Sequence, residues 1–298
     1  VRDACREMYE LTNIKDKAKT DGFSGGGGIV GYYSGGDMTI NPTSNEDDGK
    51  LTMNGIYVYG PRFAYNCDYG LGGIIGLQIT NGGLTMRNTT IENSAVEVRL
   101  DWEYTGAKED KTYYTTPACG LIKGYSRTFM NVDGLTVENS AVLNAGFCGG
   151  LAGQQVGVSK VYDTNITSLV VYSQGAGCYS GAPRVGGLYG GTASYAIDVQ
   201  RLTMTAVSVV SDGNTGLIKG MNQDTKDTKV IDFKSSNCSV VTTQGPKVKY
   251  YLGRETDPGS SLSSDKSYDE IAGAAGLFLG ASKTAGINKV QNFAAISG

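Results

Sequence analysis

The 298-residue sequence contains no histidine. That removes Ser-His-Asp and Cys-His catalysis, and it removes the commonest ligand of transition metals. Proline is scarce, at 6 residues, and tryptophan occurs once, as Trp102. Charged residues make up only 18% and the net charge is −3, with no basic block, so nucleic acid is not expected as a partner. No apolar run reaches the roughly 18 residues of a membrane span, and the longest late stretch, Ile271 to Leu279, is broken by glycines. None of the six cysteines (Cys5, Cys67, Cys119, Cys148, Cys178, Cys238) stands close to another, so CxxC redox and zinc patterns are absent. An even count dispersed through a Gly-, Thr- and Asn-rich chain suits disulfides in an oxidising compartment. The alternative is six free thiols packed as small hydrophobes. The chain starts at Val1 without Met or a signal peptide and stops at Gly298. It is expected to be a piece of a longer precursor, so the missing signal says nothing about compartment.

What the sequence does have is glycine, 44 residues, and tyrosine, 19. Glycine without proline, among many Val, Ile, Thr and Tyr, points to short strands joined by tight turns. A hydrophobic share of 40% argues against disorder.

A Gly-rich segment recurs: GGIVG from Gly27, GGIIG from Gly72, GLIKG from Gly120, GGLAG from Gly149, GGLYG from Gly186, GLIKG again from Gly216, and AGLFLG from Ala275. Aligned on the second position, the anchors are Gly28, Gly73, Gly120, Gly150, Gly187, Gly216 and Gly276. The shortest steps define a unit near 30 residues, and longer steps are one unit plus an insertion or two units with one motif decayed. A second element starts Leu-Thr-hydrophobic, as at Leu51, Leu84, Leu135 and Leu202. Ile91-Glu92-Asn93-Ser94-Ala95-Val96 returns as Val137-Glu138-Asn139-Ser140-Ala141-Val142. Short strands, this period and Gly/Asn corners predict an all-β fold, a parallel β-helix or β-solenoid with coils of about 30 residues. A two-sheet sandwich also has many short strands but does not explain a motif that keeps phase. Glycine is expected at the corners, where a Cβ would push against the next coil. The third motif position (Ile29, Ile74, Leu121, Leu151, Leu188, Leu217, Leu277) reads as inward and the variable fourth as outward. On this alignment GLIKG carries one extra residue, which predicts a bulge or corner with Leu121 and Leu217 in and Lys123 and Lys219 out.

The expected organisation is a charged, Gly-free N-terminal cap over 1–24, with a short helix from Arg2 to Glu10. Solenoid repeats follow over 25–252, then a polar insertion over 253–270 and a last coil with the C-terminal segment over 271–298. Insertions at 41–50, 101–118 and 253–270 should leave the coil as loops, often on the binding face.

Glu46, Asp47 and Asp48 are the one dense acidic cluster, and calcium is the only cofactor they raise. Glycoside cleavage needs two carboxylates at a set separation. Arg184 and Arg201, which could face such acids in a lyase, have no evident partner in the sequence. Trp102, Tyr104, Tyr113 and Tyr114 lie in one insertion, where aromatics can stack on sugars or anchor a protein interface. The plain reading is that they fasten the insertion to the solenoid wall. Tyr32, Tyr33, Tyr57 and Tyr59 line strands with the same ambiguity. Asn88, Asn165 and Asn237 open N-glycosylation triplets. Cys119 and Cys148 occupy nearly equal phases of consecutive coils, within disulfide reach of each other, and are predicted to pair.

The recurring GGLxG series resembles the GLUG-type repeats of bacterial cell-surface proteins, over most of the chain from about Gly25 to Gly280. The resemblance implies an extracellular parallel β-helix of presenting or adhesive role, secreted or on the cell surface. Its partners would be a host or matrix protein, a glycan, or copies of itself. The alternatives are a carbohydrate-active β-helix enzyme and the repeat segment of a larger secreted enzyme.

Overall fold

The repeated Gly-rich segment folds as two short strands joined by a sharp corner. In one coil Tyr69–Gly72 enters the corner and Ile75–Gln78 leaves it. The computed structural model describes residues 24–41, 50–60, 64–65, 69–98, 114–115, 118–173, 183–193, 195–223, 227–243, 275–282 and 288–296. In these, seven entering strands stack into one narrow sheet, from Ser24–Gly27 to Ala275–Gly276. Seven leaving strands stack into a second, from Val30–Tyr33 to Leu279–Ser282. The chain then crosses a broad 12-stranded sheet, whose longest strands are Phe129–Leu143 and Ser159–Ser173, and returns to the first narrow sheet one coil on. All pairings in the three sheets are parallel, as the consecutive register shows. This is a parallel β-solenoid.

The broad sheet bends twice in each coil, dividing it into three arms. At the first bend Asn88, Gly134, Asp163, Arg201 and Asp232 follow one another from coil to coil, all with φ between 46° and 71°. At the second bend Gly55, Asn93, Asn139, Ser168, Ala206 and Asn237 do the same. Glycine and asparagine reach this left-handed region at least cost, which is why they recur there. Between the bends side chains alternate in and out. Met86, Val132, Val161, Val199 and Val230 form one inward column, and Val58, Val96, Val142, Val171 and Val209 another, all buried. The twin segments Ile91–Val96 and Val137–Val142 lie directly side by side.

The strand register corrects the motif alignment by one residue. Gly120 pairs with Gly72 and with Gly149, and Gly216 pairs with Gly186 and Gly276. GLIKG therefore has the same length as GGIIG, with leucine at the second position. It carries no extra residue and makes no bulge. Gly28, Gly73, Gly150 and Gly187 are second-position residues, whereas Gly120, Gly216 and Gly276 are first-position residues. The longer steps are single coils plus insertions, since Gly27 pairs with Gly72 and Gly216 with Gly276. Lys123 and Lys219 thus fall at the fourth position with Ile75, Ala152 and Tyr189, and all five are buried. The expectation of an outward fourth position and outward lysines is overturned. That position begins the second narrow sheet and fills the coil interior.

Glycine in the corner answers to close packing. A Cβ on Gly150 would stand 2.0 Å from the carbonyl oxygen of Gly187 in the next coil, and one on Gly72 would stand 2.0 Å from that of Ile75. No side chain fits at such a distance.

The extra chain length enters at few places. One stretch (42–49) interrupts the broad sheet near its first bend. Four others (61–68, 99–117, 174–182 and 244–274) all enter where the third arm ends, after Gly60, Val98, Ser173 and the strand Ser239–Thr242. Two of them touch: Ala64–Tyr65 pairs antiparallel with Tyr114–Thr115. The predicted N-terminal cap lies outside the described residues except for Ser24, which opens the first strand, and its helix and the polar insertion 253–270 lie wholly outside them.

Candidate functional site

Two polar arrangements stand out, one inside the coil and one on its surface. Inside, where the second narrow sheet turns into the broad sheet, Lys123 Nζ donates to Ser126 Oγ at 3.2 Å, Thr128 Oγ1 at 3.2 Å and the Phe129 carbonyl at 3.0 Å. Burial pushes its pKa down from 10.5 to about 7. Lys219 repeats the device by donating to Thr228 Oγ1. In the coils between, Gln155 Nε2 donates to the Thr128 carbonyl at 2.6 Å, and the Tyr189 hydroxyl lies 2.8 Å from Ser159 Oγ. Lys123 and Gln155 thereby satisfy backbone carbonyls of a turn that the sheets cannot, while Tyr189 and Lys219 engage its side-chain hydroxyls. Gln78 lies in the same strand register as Ser126 and Gln155, and its amide has no hydrogen-bond partner among the described residues. The seam is sealed from solvent and is a structural element.

On the outside, the first arm of the broad sheet carries a polar grid. Thr85, Asn131, Lys160 and Asp198 form one outward column, and Arg87, Asp133, Tyr162 and Gln200 the next. A shallow depression of about 230 Å³ lies over three coils, lined on its polar side by Thr85, Arg87, Asn131, Asp133, Lys160 and Tyr162. Tyr162 is held in place. Its hydroxyl donates to Asp198 Oδ2 at 2.8 Å, and Gln200 Nε2 donates to the same carboxylate at 3.0 Å. The Arg201 guanidinium lies 5.8 Å from the ring centroid and grips Asp163 with two bonds of 2.6 and 2.7 Å. Desolvation and the Asp198 carboxylate push the Tyr162 phenol up to about 12. The Arg201 hydrogen bonds hold the Asp163 carboxyl below its usual range.

Most of the residues singled out from sequence are not at either place. Trp102, Tyr104 and Tyr113, the acidic Glu46, Asp47 and Asp48, and Cys5, Cys67 and Cys178 lie outside the described residues. Tyr114 is placed only as a strand partner of Tyr65. Tyr57 and Tyr59 stack at 5.9 Å on the third arm. Among the described residues no group of three His, Cys, Asp or Glu side chains could hold a metal ion, and no helix is long and apolar enough to cross a membrane.

Cys119 and Cys148 do pair in register, but both thiols are free and buried, contrary to the predicted disulfide. In-register neighbours of a parallel sheet project in the same direction, so their Cβ vectors do not converge as a disulfide requires. Cys148 Sγ is instead turned to the Ala145 N–H at 3.2 Å. Arg201, unpaired on the sequence, is tightly paired with Asp163, and the Arg184 guanidinium lies 4.9 Å from the Phe147 ring centroid. The polar grid is not evident in the sequence because successive members of each column stand 29 to 46 residues apart, and only the strand register brings them together.

No protein-family model matches the chain, and no curated protein or solved structure matches it either. Function has to follow from the ladders, the insertions and the polar face themselves.

Proposed function

We propose that this protein is an extracellular structural and adhesive solenoid, secreted or held at a cell surface, which displays its insertions to a partner from a rigid rod. The observation that carries this reading is the common point of entry. Four of the five longer interruptions enter the coil at the end of the third arm, and two of them pair with each other. A stack of coils with fixed spacing is a stiff ruler, and insertions that enter along one edge of it are held at set intervals for a partner. The likeness of the Gly-rich series to GLUG-type surface repeats supports the same role. An acid-base pair for sugar cleavage would need two carboxylates facing each other across a groove. On the polar face, Asp163 is engaged by Arg201 and Asp198 by Tyr162 and Gln200.

The test is to replace 99–117 and 244–274 with short Gly/Ser linkers. Both proteins are then assayed on immobilised fibronectin, collagen, laminin and a glycan array. The shortened chain is expected to keep its β-sheet circular dichroism and cooperative melting and to lose protein-partner adhesion. Adhesion that is unchanged, or no adhesion by the whole chain, contradicts the proposal.

A further inference from the structure

The depression on the first arm has the chemistry of a sugar site. A pyranose ring presents apolar C–H faces and a rim of hydroxyls that both donate and accept. A protein that holds one needs an aromatic surface beside fixed donors and acceptors. Here Arg87 and Lys160 only donate, the Asp133 carboxyl offers acceptor oxygens, and Asn131 and Thr85 both donate and accept. Tyr162 supplies the ring. It is immobilised before any ligand arrives, by Asp198 at its hydroxyl and by Arg201 near its ring. Such preorganisation lowers the ordering cost of binding.

We propose that this face binds an oligosaccharide, one sugar residue seating in the depression against Tyr162 and the chain running along the solenoid axis over Asp198, Gln200 and Lys229. The spacing supports that direction: neighbouring strands lie about 4.8 Å apart, close to the length of one hexose in an extended chain. The volume of about 230 Å³ suits a single ring. A protein interface would want an apolar centre, and the two apolar residues of the lining, Met86 and Val132, are buried beneath the grid. A simple anion would meet Asp133 in the same depression as the two cations. The inference gives the proposed adhesive role a ligand class and rests on that reading for its extracellular setting.

The experiment is a glycan array with the full chain, followed by calorimetric titration of the oligosaccharide retained. Tyr162→Ala is expected to weaken binding by about tenfold or more, as loss of an aromatic anchor does. Asn131→Ala and Lys160→Ala should each weaken it by several-fold, while Tyr162→Phe keeps most of it. Thr205→Ala, on the second arm, should leave it unchanged. Asn131 and Lys160 stand at the surface, so their variants carry the test if Tyr162→Ala does not fold. The variant without 99–117 and 244–274 separates the two ideas. Glycan binding retained there but lost in Tyr162→Ala supports the polar face. Glycan binding lost there and kept in Tyr162→Ala places the sugar on the insertions, which overturns this inference and leaves the adhesive role standing. Absence of any retained glycan, or binding indifferent to Tyr162, Asn131 and Lys160 together, also overturns it.

Discussion

The Lys123 ammonium sits 3.0 Å from the carbonyl oxygen of Phe129, sealed inside the coil with no solvent exposure. A lysine there cross-braces the turn that carries the chain from the second narrow sheet to the broad one. The second GLIKG places Lys219 at the equivalent point.

This burial makes stability depend on pH. The amine titrates at 10.5 when unfolded and at about 7 when folded. Between those values the unfolded chain binds the additional proton, so stability rises with pH, by at most about 1.4 kcal/mol per unit from this group. It is lowest below pH 7, where the folded protein must hold a buried ammonium. The window ends near pH 10, where unfolded tyrosines ionise while Tyr162, raised to about 12, does not. Urea unfolding from pH 6 to 10 should show this rise in the wild type and a shallower one in Lys123→Met. Equal slopes contradict it.

The second bend makes a prediction about backbone strain. Ala206 has φ of 53° in a column otherwise built from Gly55, Asn93, Asn139, Ser168 and Asn237. A Cβ in the left-handed region costs roughly 1 kcal/mol, and alanine has no side-chain polar group to offset it. Ala206→Gly and Ala206→Asn are therefore expected to stabilise the protein by up to about 1 kcal/mol, and Asn139→Ala to destabilise it by a similar amount. Midpoint shifts in urea decide the matter, and a destabilised Ala206→Gly runs against the bend as described.

Corner glycines should separate sharply by position. Gly150→Ala puts a methyl group 2.0 Å from the Gly187 carbonyl oxygen, whereas Gly35→Ala meets nothing within 4 Å. The first should cost about 3 kcal/mol or more by forcing the coils apart, and the second should be nearly silent. Thermal melts of the two variants check it.

The coil itself was legible because the same physical demand returns at every turn. Gly27, Gly72, Gly149 and Gly186 recur since a backbone passes where a Cβ would go, and the twin Asn-Ser segments recur since Asn93 and Asn139 share a left-handed bend. The phase was harder to read. In GGIIG and GGLAG the first two positions are both glycine, so the single glycine opening GLIKG could be matched to either. Choosing the second turned Lys123 outward, when hydrogen-bond partners at Ser126, Thr128 and Phe129 let a lysine stay inside. Leu84-Thr85-Met86 misled in a similar way. It lies on the first arm, beside Met38-Thr39-Ile40, whereas Leu51, Leu135 and Leu202 open the second. Both arms share the same in-out-in alternation. The Tyr162–Asp198 and Asp163–Arg201 contacts were illegible for another reason: partners far apart in sequence meet only once every coil is in register.

The most direct measurement of the account is the distance between nitroxide side chains placed down one outward column. Thr52, Thr90, Thr136, Asn165, Thr203 and Lys234 succeed one another strand by strand. Pulsed electron resonance with one label at Lys234 and the other at Thr52 should give an axial separation of about 24 Å, five strand spacings. Moving the second label to Thr90 should shorten it by about 5 Å, one spacing. Distances that do not fall by one spacing per coil, as in a sandwich where these residues alternate between two sheets, would contradict the solenoid and the surfaces built on it.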